Sequence, residues 1–234
     1  MIIYEMQGPI TYILASLLCM CIFDSVTRFK ESARWYILHS VTNAVVTYLT
    51  FPSIVAILYD PRLAFSGPSM ALPVSISIAL HLYHVLFFHR QMMMNDWVHH
   101  LGSAFICGGI SLSHHWGHGL GWVLFFITGF PGGIDYIMLS LVKYEYMESI
   151  TEKRYNCFLN RWIRMPGLFI SVIAGSLGIK LGYFNGWVAV GAAIVNLSNF
   201  LNGIYYSHRV AENYGYRMGQ LHKHKCIKNT KEEE

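Results

Sequence analysis

The chain has 234 residues, 54% of them hydrophobic and only 13% charged, with a formal net charge of +4 and a mean hydropathy of +0.38. A soluble domain carries about 25% charged residues, so the composition excludes an ordinary soluble domain and points to one integral membrane domain. The small basic excess lies between apolar runs, where it sets topology, and it excludes a nucleic-acid surface.

Seven spans are predicted, which makes the fold all-α: a multi-pass transmembrane helical bundle. Span one runs from Ile10 to Phe23. No basic segment precedes it and no small-residue cleavage site follows, so it is expected to be a retained helix. Span two, Trp35 to Tyr59, carries His39, Asn43 and Thr47 at four-residue spacing. A loop with Asp60, Pro61, Gly67 and Pro68 leads to span three, Met70 to His89, with Ser77, His81 and His84 on one face.

Span four lies between Trp97 and Trp116, about 29 Å apart as a helix, which fits a bilayer with an aromatic belt at each end. Span five, Gly119 to Val142, is interrupted at Gly129-Phe130-Pro131-Gly132-Gly133. Pro131 removes a backbone donor, and irregular backbone at membrane depth must be buried or line a cavity, so the break is expected to face the bundle interior. A polar loop is expected from Lys143 to Arg164, then span six (Met165 to Gly182), span seven (Trp187 to Tyr206) and a short charged mobile tail from Ser207 to Glu234.

The basic residues test this count. Arg28, Lys30, Arg34, Arg90, Lys143, Lys153, Arg154, Arg161, Arg164, Arg209, Arg217, Lys223, Lys225, Lys228 and Lys231 fall on one side. Only Arg62 and Lys180 fall on the other, which accounts for all 17 Lys and Arg. The positive-inside rule then gives an exoplasmic N-terminus and a cytosolic C-terminus.

With that topology the intramembrane polar groups can be given depths from the cytosolic face, at about 1.5 Å per residue. His99 and His100 lie about 5 Å inside, and His39, His84 and Asn202 about 8–9 Å. His81, Asp135 and Asn199 lie about 12–14 Å inside. Polar groups at one level from five helices suggest a cavity open to the cytosol. Interhelical hydrogen bonding is the alternative for the asparagines Asn196, Asn199 and Asn202.

Asn95-Asp96-Trp97-Val98-His99-His100 is the chemical centre of this reading. Residues three and four apart share a helix face, so Asp96 can orient His99 or His100, one of which acts as nucleophile or general base. Asp135 is the second acid/base or charge partner. His39, His81, His84, Asn199 and Asn202 are the expected substrate-binding groups. Cys107, two turns beyond His100, is either a small buried residue or an alternative acyl acceptor. His114, His115 and His118 fall at the opposite interface and read as decoration, with a metal as the alternative. A di-iron site would need them beside the other histidines, so no metal is expected. The five cysteines show no paired or zinc-type spacing; Cys157 and Cys226 are cytosolic candidates for palmitoylation.

The order of these features resembles the TLC-domain family, which includes ceramide synthases, translocating-chain-associated membrane proteins and small lipid-homeostasis members. The likeness rests on the basic segment Arg28 to Arg34 before Trp35, and on Asp96 before His99-His100. It continues with the Ser/His-rich turn holding Gly117 and Gly119, and with the span carrying Asp135 and Lys143. It covers Arg28 to Arg209, dividing the chain into an N-terminal span (1–27), a TLC-like domain (28–209) and a cytosolic tail (210–234). In ceramide synthases the paired histidines belong to the acyl-transfer site, which the resemblance maps onto His99 and His100. The acid-rich element that follows them there corresponds here to Gly129 to Asp135, with one acid and no His. The resemblance therefore implies either acyl transfer from acyl-CoA to a lipid other than a sphingoid base, or lipid binding, trafficking or regulation without chemistry. It implies membrane lipids as partners, acyl-CoA as co-substrate with no resident cofactor, and the endoplasmic reticulum or the plasma membrane as location. A homodimer is compatible with it.

Overall fold

The computed structural model describes the backbone of residues 2–27 and 30–232 and the side chains of 8–27 and 30–223. Arg28 and the side chains of Lys225, Cys226, Lys228 and Lys231 lie outside the described residues. Every regular element among them is helical. Seven long rods follow one another: α1 (Ile2–Thr27), α2 (Glu31–Tyr59), α3 (Ala71–Phe87), α4 (94–112), α5 (His118–Lys143), α6 (Ser149–Lys180) and α7 (Gly186–Glu232). Five of them, α1, α2, α5, α6 and α7, are long and apolar enough to cross a membrane, and α3 is a shorter apolar helix of 17 residues.

The rods alternate in direction. At one end the Ser66 carbonyl accepts from the His118 N–H at 2.8 Å, and Phe65 stacks on Tyr183 at 4.5 Å. At the other, Lys30 Nζ donates to the Lys143 carbonyl at 2.9 Å and Arg34 lies over the Phe88 ring. Asp60 accepts from the backbone and guanidinium of Arg62, which holds its carboxyl below the usual carboxylate range.

The bundle is apolar outside and partly polar inside, the reverse of a soluble protein. Leu14, Leu18, Ile22 and Val26 form an exposed stripe on α1, and Phe169, Ile173 and Leu177 another on α6. The core instead buries His39, Asn43, Thr50, Ser75, His84 and His100 beside Leu38, Val46, Val74 and Leu80. Hydroxyls on these rods bond back to their own helix, as Thr47 does to the Asn43 carbonyl and Thr50 to that of Val46, both at 2.7 Å. Such back-bonding satisfies a hydroxyl where no water is available.

One polar knot ties α1 to its neighbours. The buried Asp24 carboxylate accepts from the Arg34 guanidinium on α2 and the Tyr83 hydroxyl on α3, with Arg34 Nε 2.5 Å from Oδ1. Asp24 therefore explains why Arg34 stays at the start of α2 rather than in the loop.

Several expectations need correction. The loop assigned to Lys143–Arg164 is mostly helix, since α6 begins at Ser149 and only 144–148 connect it to α5. The tail assigned from Ser207 is not separate, because α7 continues through it to Glu232. Without a proline after Trp187 nothing stops that helix, and charge alone does not. Trp116 is buried against Phe184, at 5.6 Å between rings, so it belongs to the core and not to an interfacial belt. Span five is not broken at Pro131. A π turn over Phe125–Gly129 runs straight into the helix Phe130–Lys143. The wider turn accommodates the ring and frees the carbonyl that Pro131 cannot bond. A second π turn, Asn160–Arg164, precedes Pro166 in the same way, and a third, Gly102–Gly108, lies in α4.

Candidate functional site

A cavity of about 340 Å³ opens between α2, α3, α4, α5, α6 and α7. Each rod presents a polar group to it because its opposite face is committed to apolar packing. Of the residues nominated from sequence, His99, His100, Asp96, Asp135, His39, His81, Asn199 and Asn202 line this cavity. His84 lies behind the wall, fully buried. Cys107 lines it as well. All three π turns reach it, through Ser103, Cys107, Thr128 and Arg164.

The histidines form one continuous cluster. Trp35, His84, His39 and Tyr136 stack in that order, with ring separations of 3.9, 4.4 and 3.9 Å. This four-ring stack is contributed by α2, α3 and α5, and it fixes His39 and His84 in orientation. His100 meets His84 edge-on at 5.3 Å, and His81 and His99 complete the cluster at 5.1 and 5.3 Å from His100.

Hydrogen bonds set the tautomers. His100 Nδ1 is 2.7 Å from the Asp96 carbonyl and His81 Nδ1 is 2.7 Å from the Ser77 carbonyl. A carbonyl only accepts, so each Nδ1 carries the proton and, in the neutral ring, each Nε2 keeps its lone pair. The basic nitrogen of His100 faces His84 Nδ1 at 3.4 Å. His39 Nε2 and His84 Nε2 are buried with no partner among the described residues. His99 Nδ1 lies 3.4 Å from Ser103 Oγ.

The expected role of the Asp96 carboxylate is corrected. Its Oδ2 accepts from the Met93 N–H at 2.9 Å, closing the first turn of α4. Asp96 does orient His100, but through its carbonyl, so the imidazole has no carboxylate partner. Asp135 is also separate from the histidine pair. Its Oδ1 accepts from Asn156 Nδ2 at 2.6 Å, on α6.

That contact belongs to a polar ladder absent from the sequence reading. Glu152, Asn156, Asn160 and Arg164 follow at four-residue intervals on α6, all buried. Lys153 pairs with Glu152, and Asn156 donates to Glu152 at 3.3 Å. Asn160 donates to Asn156 Oδ1 and Arg164 Nη1 to Asn160 Oδ1, both at 2.6 Å. The i, i+4 repeat of polar residues was the available signal. Among the described residues Arg164 forms no ion pair, and its Nε has no partner. Arg164 is thus a cavity wall group and not a loop charge.

The asparagines divide. Asn196 and Asn199 each donate to their own helix, at 2.9 and 2.8 Å, the second while lining the cavity. At the far end, His115 Nε2 meets the Gly67 carbonyl at 2.6 Å and His118 Nδ1 meets Ser53 Oγ at 3.0 Å. His114 packs on Trp116. His115 thus fastens the loop at Gly67, and His118 ties α5 to α2.

A scan of protein-family models, a search of curated proteins and a search of solved structures each found no match to this chain. The chemistry of the cavity therefore rests on its residues. It offers the imidazole acceptors of His81 and His100, the Arg164 guanidinium and the Asp135 carboxylate.

Proposed function

We propose that the chain is a multi-pass membrane protein of lipid metabolism or homeostasis that transfers an acyl chain from acyl-CoA to a lipid acceptor within this cavity. In this reading it crosses the bilayer seven times in a TLC-type bundle, with the cavity open to the cytosol, and resides in the endoplasmic reticulum. With Arg164 set aside as a cavity group, the fourteen-to-two split of the other Lys and Arg supports the orientation.

The observation that carries the proposal is that His81, His99, His100, Asp135 and Arg164 all line one cavity. His99, the half-buried member of the pair, takes the proton of the acceptor hydroxyl or amine as that atom attacks the thioester carbonyl, while His100 Nε2 is turned toward His84 behind it. The carbon–sulfur bond then breaks, and the departing thiolate takes up the proton from the imidazolium.

A second reading, lipid binding without turnover, is favoured by one fact. The Asp96 carboxylate caps α4, so neither His99 nor His100 has the charged partner that strengthens a general base. Lipidomics of cells carrying the wild-type chain or a His99→Ala/His100→Ala double variant separates the two. The expected result is loss of one acylated product while the variant remains folded by thermal unfolding. Full turnover in the double variant would leave only the binding reading.

A further inference from the structure

The ladder on α6 ends in an arrangement that its own hydrogen bonds do not explain. Arg164 is 9% exposed, its Nη1 is held by Asn160, and its Nε is buried without a partner. A guanidinium so placed carries a large desolvation cost, which a protein retains for a ligand or a switch more readily than for stability.

A second donor faces the same space from α2. Asn43 Oδ1 accepts from Thr128 Oγ1 at 3.0 Å, which fixes the amide and leaves Nδ2 free of partners among the described residues. Gly132 on α5 lies opposite. The point where a side chain on Gly132 would begin is 3.0 Å from Asn43 Nδ2 and 3.7 Å from Arg164 Nη2. An amide donor and a guanidinium donor thus line the cavity together at Gly132, whose lack of a side chain lets a ligand approach both. Convergent N–H groups with one fixed positive charge are the recognition chemistry of a carboxylate or phosphate.

The local charges favour a head group over a bare ion. Glu152 is offset by Lys153, and Arg164 by the nearby Asp135, which is turned toward Asn156. An added anion leaves the wall one charge negative. A hydroxyl or amine beside that anion can meet Asp135, and the imidazole cluster can take up a proton.

We propose that Arg164 and Asn43 form an anion-binding corner at Gly132, and that the lipid accepted by the cavity carries a phosphate or carboxylate in its head group. This rests on the reading of the cavity as a lipid site and narrows it to anionic or zwitterionic amphiphiles.

The test is equilibrium binding to the purified full chain in neutral detergent. The probes are monooleoylglycerol phosphate, oleate, neutral monooleoylglycerol, the cationic sphingoid base and inorganic phosphate. The phosphate lipid or oleate should bind at least tenfold more tightly than the neutral lipid of the same chain, and inorganic phosphate should not compete at equal concentration. Arg164→Gln should lose about ten- to hundredfold in affinity for the anionic lipid, the range for a hydrogen bond to a charged group. Its affinity for the neutral lipid should not change. Gly132→Ala keeps the guanidinium and fills the corner, so it should lose the same preference, which covers the case in which Arg164→Gln fails to fold. Equal affinity for neutral and anionic lipids, or competition by inorganic phosphate alone, would overturn the proposal while leaving the acyl-transfer reading open. Failure of every amphiphile to bind would overturn both.

Discussion

The Asp24 knot gives an asymmetry that can be measured. The Asp24 side chain is 3% exposed, whereas that of its partner Arg34 is 40% exposed. Replacing Arg34 with Met leaves a buried carboxylate facing only the Tyr83 hydroxyl. Breaking a buried pair from the side that strands the charge costs about 3–5 kcal/mol. Replacing Asp24 with Asn instead strands Arg34, which can turn to water at the end of the bundle. What is then lost is the charge in the hydrogen bonds, about 1.5–3 kcal/mol. The Arg34→Met variant should therefore be the less stable of the two. The double variant should cost less than the sum, since each change removes the other's penalty. Denaturant unfolding in mixed micelles, followed by tryptophan fluorescence, reads all three. Equal costs, or a larger cost for Asp24→Asn, would mean that the carboxylate is hydrated, and the account of how α1 is fastened would fail.

Two further changes test the site and its frame. Asp96→Asn keeps both the carbonyl that holds His100 and an oxygen for the Met93 N–H, so acyl transfer should fall less than about threefold, within roughly 0.6 kcal/mol; a loss of a hundredfold in the turnover assay would restore the carboxylate to the mechanism. Gly117 has φ +62° and a β-carbon there would sit 2.3 Å from the Ser66 carbonyl oxygen, so Gly117→Ala should destabilise the chain by about 2 kcal/mol or more; an unchanged melting temperature would show that this loop does not clamp α5.

The rods were legible because helices with apolar outer faces read as long apolar runs, and such runs stand out against so few charges. The polar layer was legible for the opposite reason. A His or Asp inside such a run is expensive, so His39, His81, His99, His100 and Asp135 identified themselves. What escaped notice was polarity that bonds to itself. Glu152, Asn156 and Asn160 look like a hydrated loop in sequence, yet their four-residue spacing lets each satisfy the next in the interior. The direction of Asp96 was equally hidden. Helical spacing fixes which residues share a face, but a carboxylate near a helix start can reach either forward to a side chain or back to a backbone N–H. Trp116 was misread because tryptophan suits both a membrane interface and a core.

The three π turns have a consequence for how such a chain changes over time. Each turn holds one residue more than its neighbours, and one residue corresponds to about 100° around an α-helix. The segment beyond a wide turn is therefore out of phase with the segment before it, while the rod stays continuous. Insertions and deletions are usually tolerated in loops, but here the chain has three places inside helices where its length has room to vary. Shortening 125–129 by one residue leaves every loop untouched and rotates Asp135 and Tyr136 off the cavity wall. Lineages that differ by one such residue would keep the same seven rods and the same outer apolar surface, and would present different side chains to whatever occupies the middle.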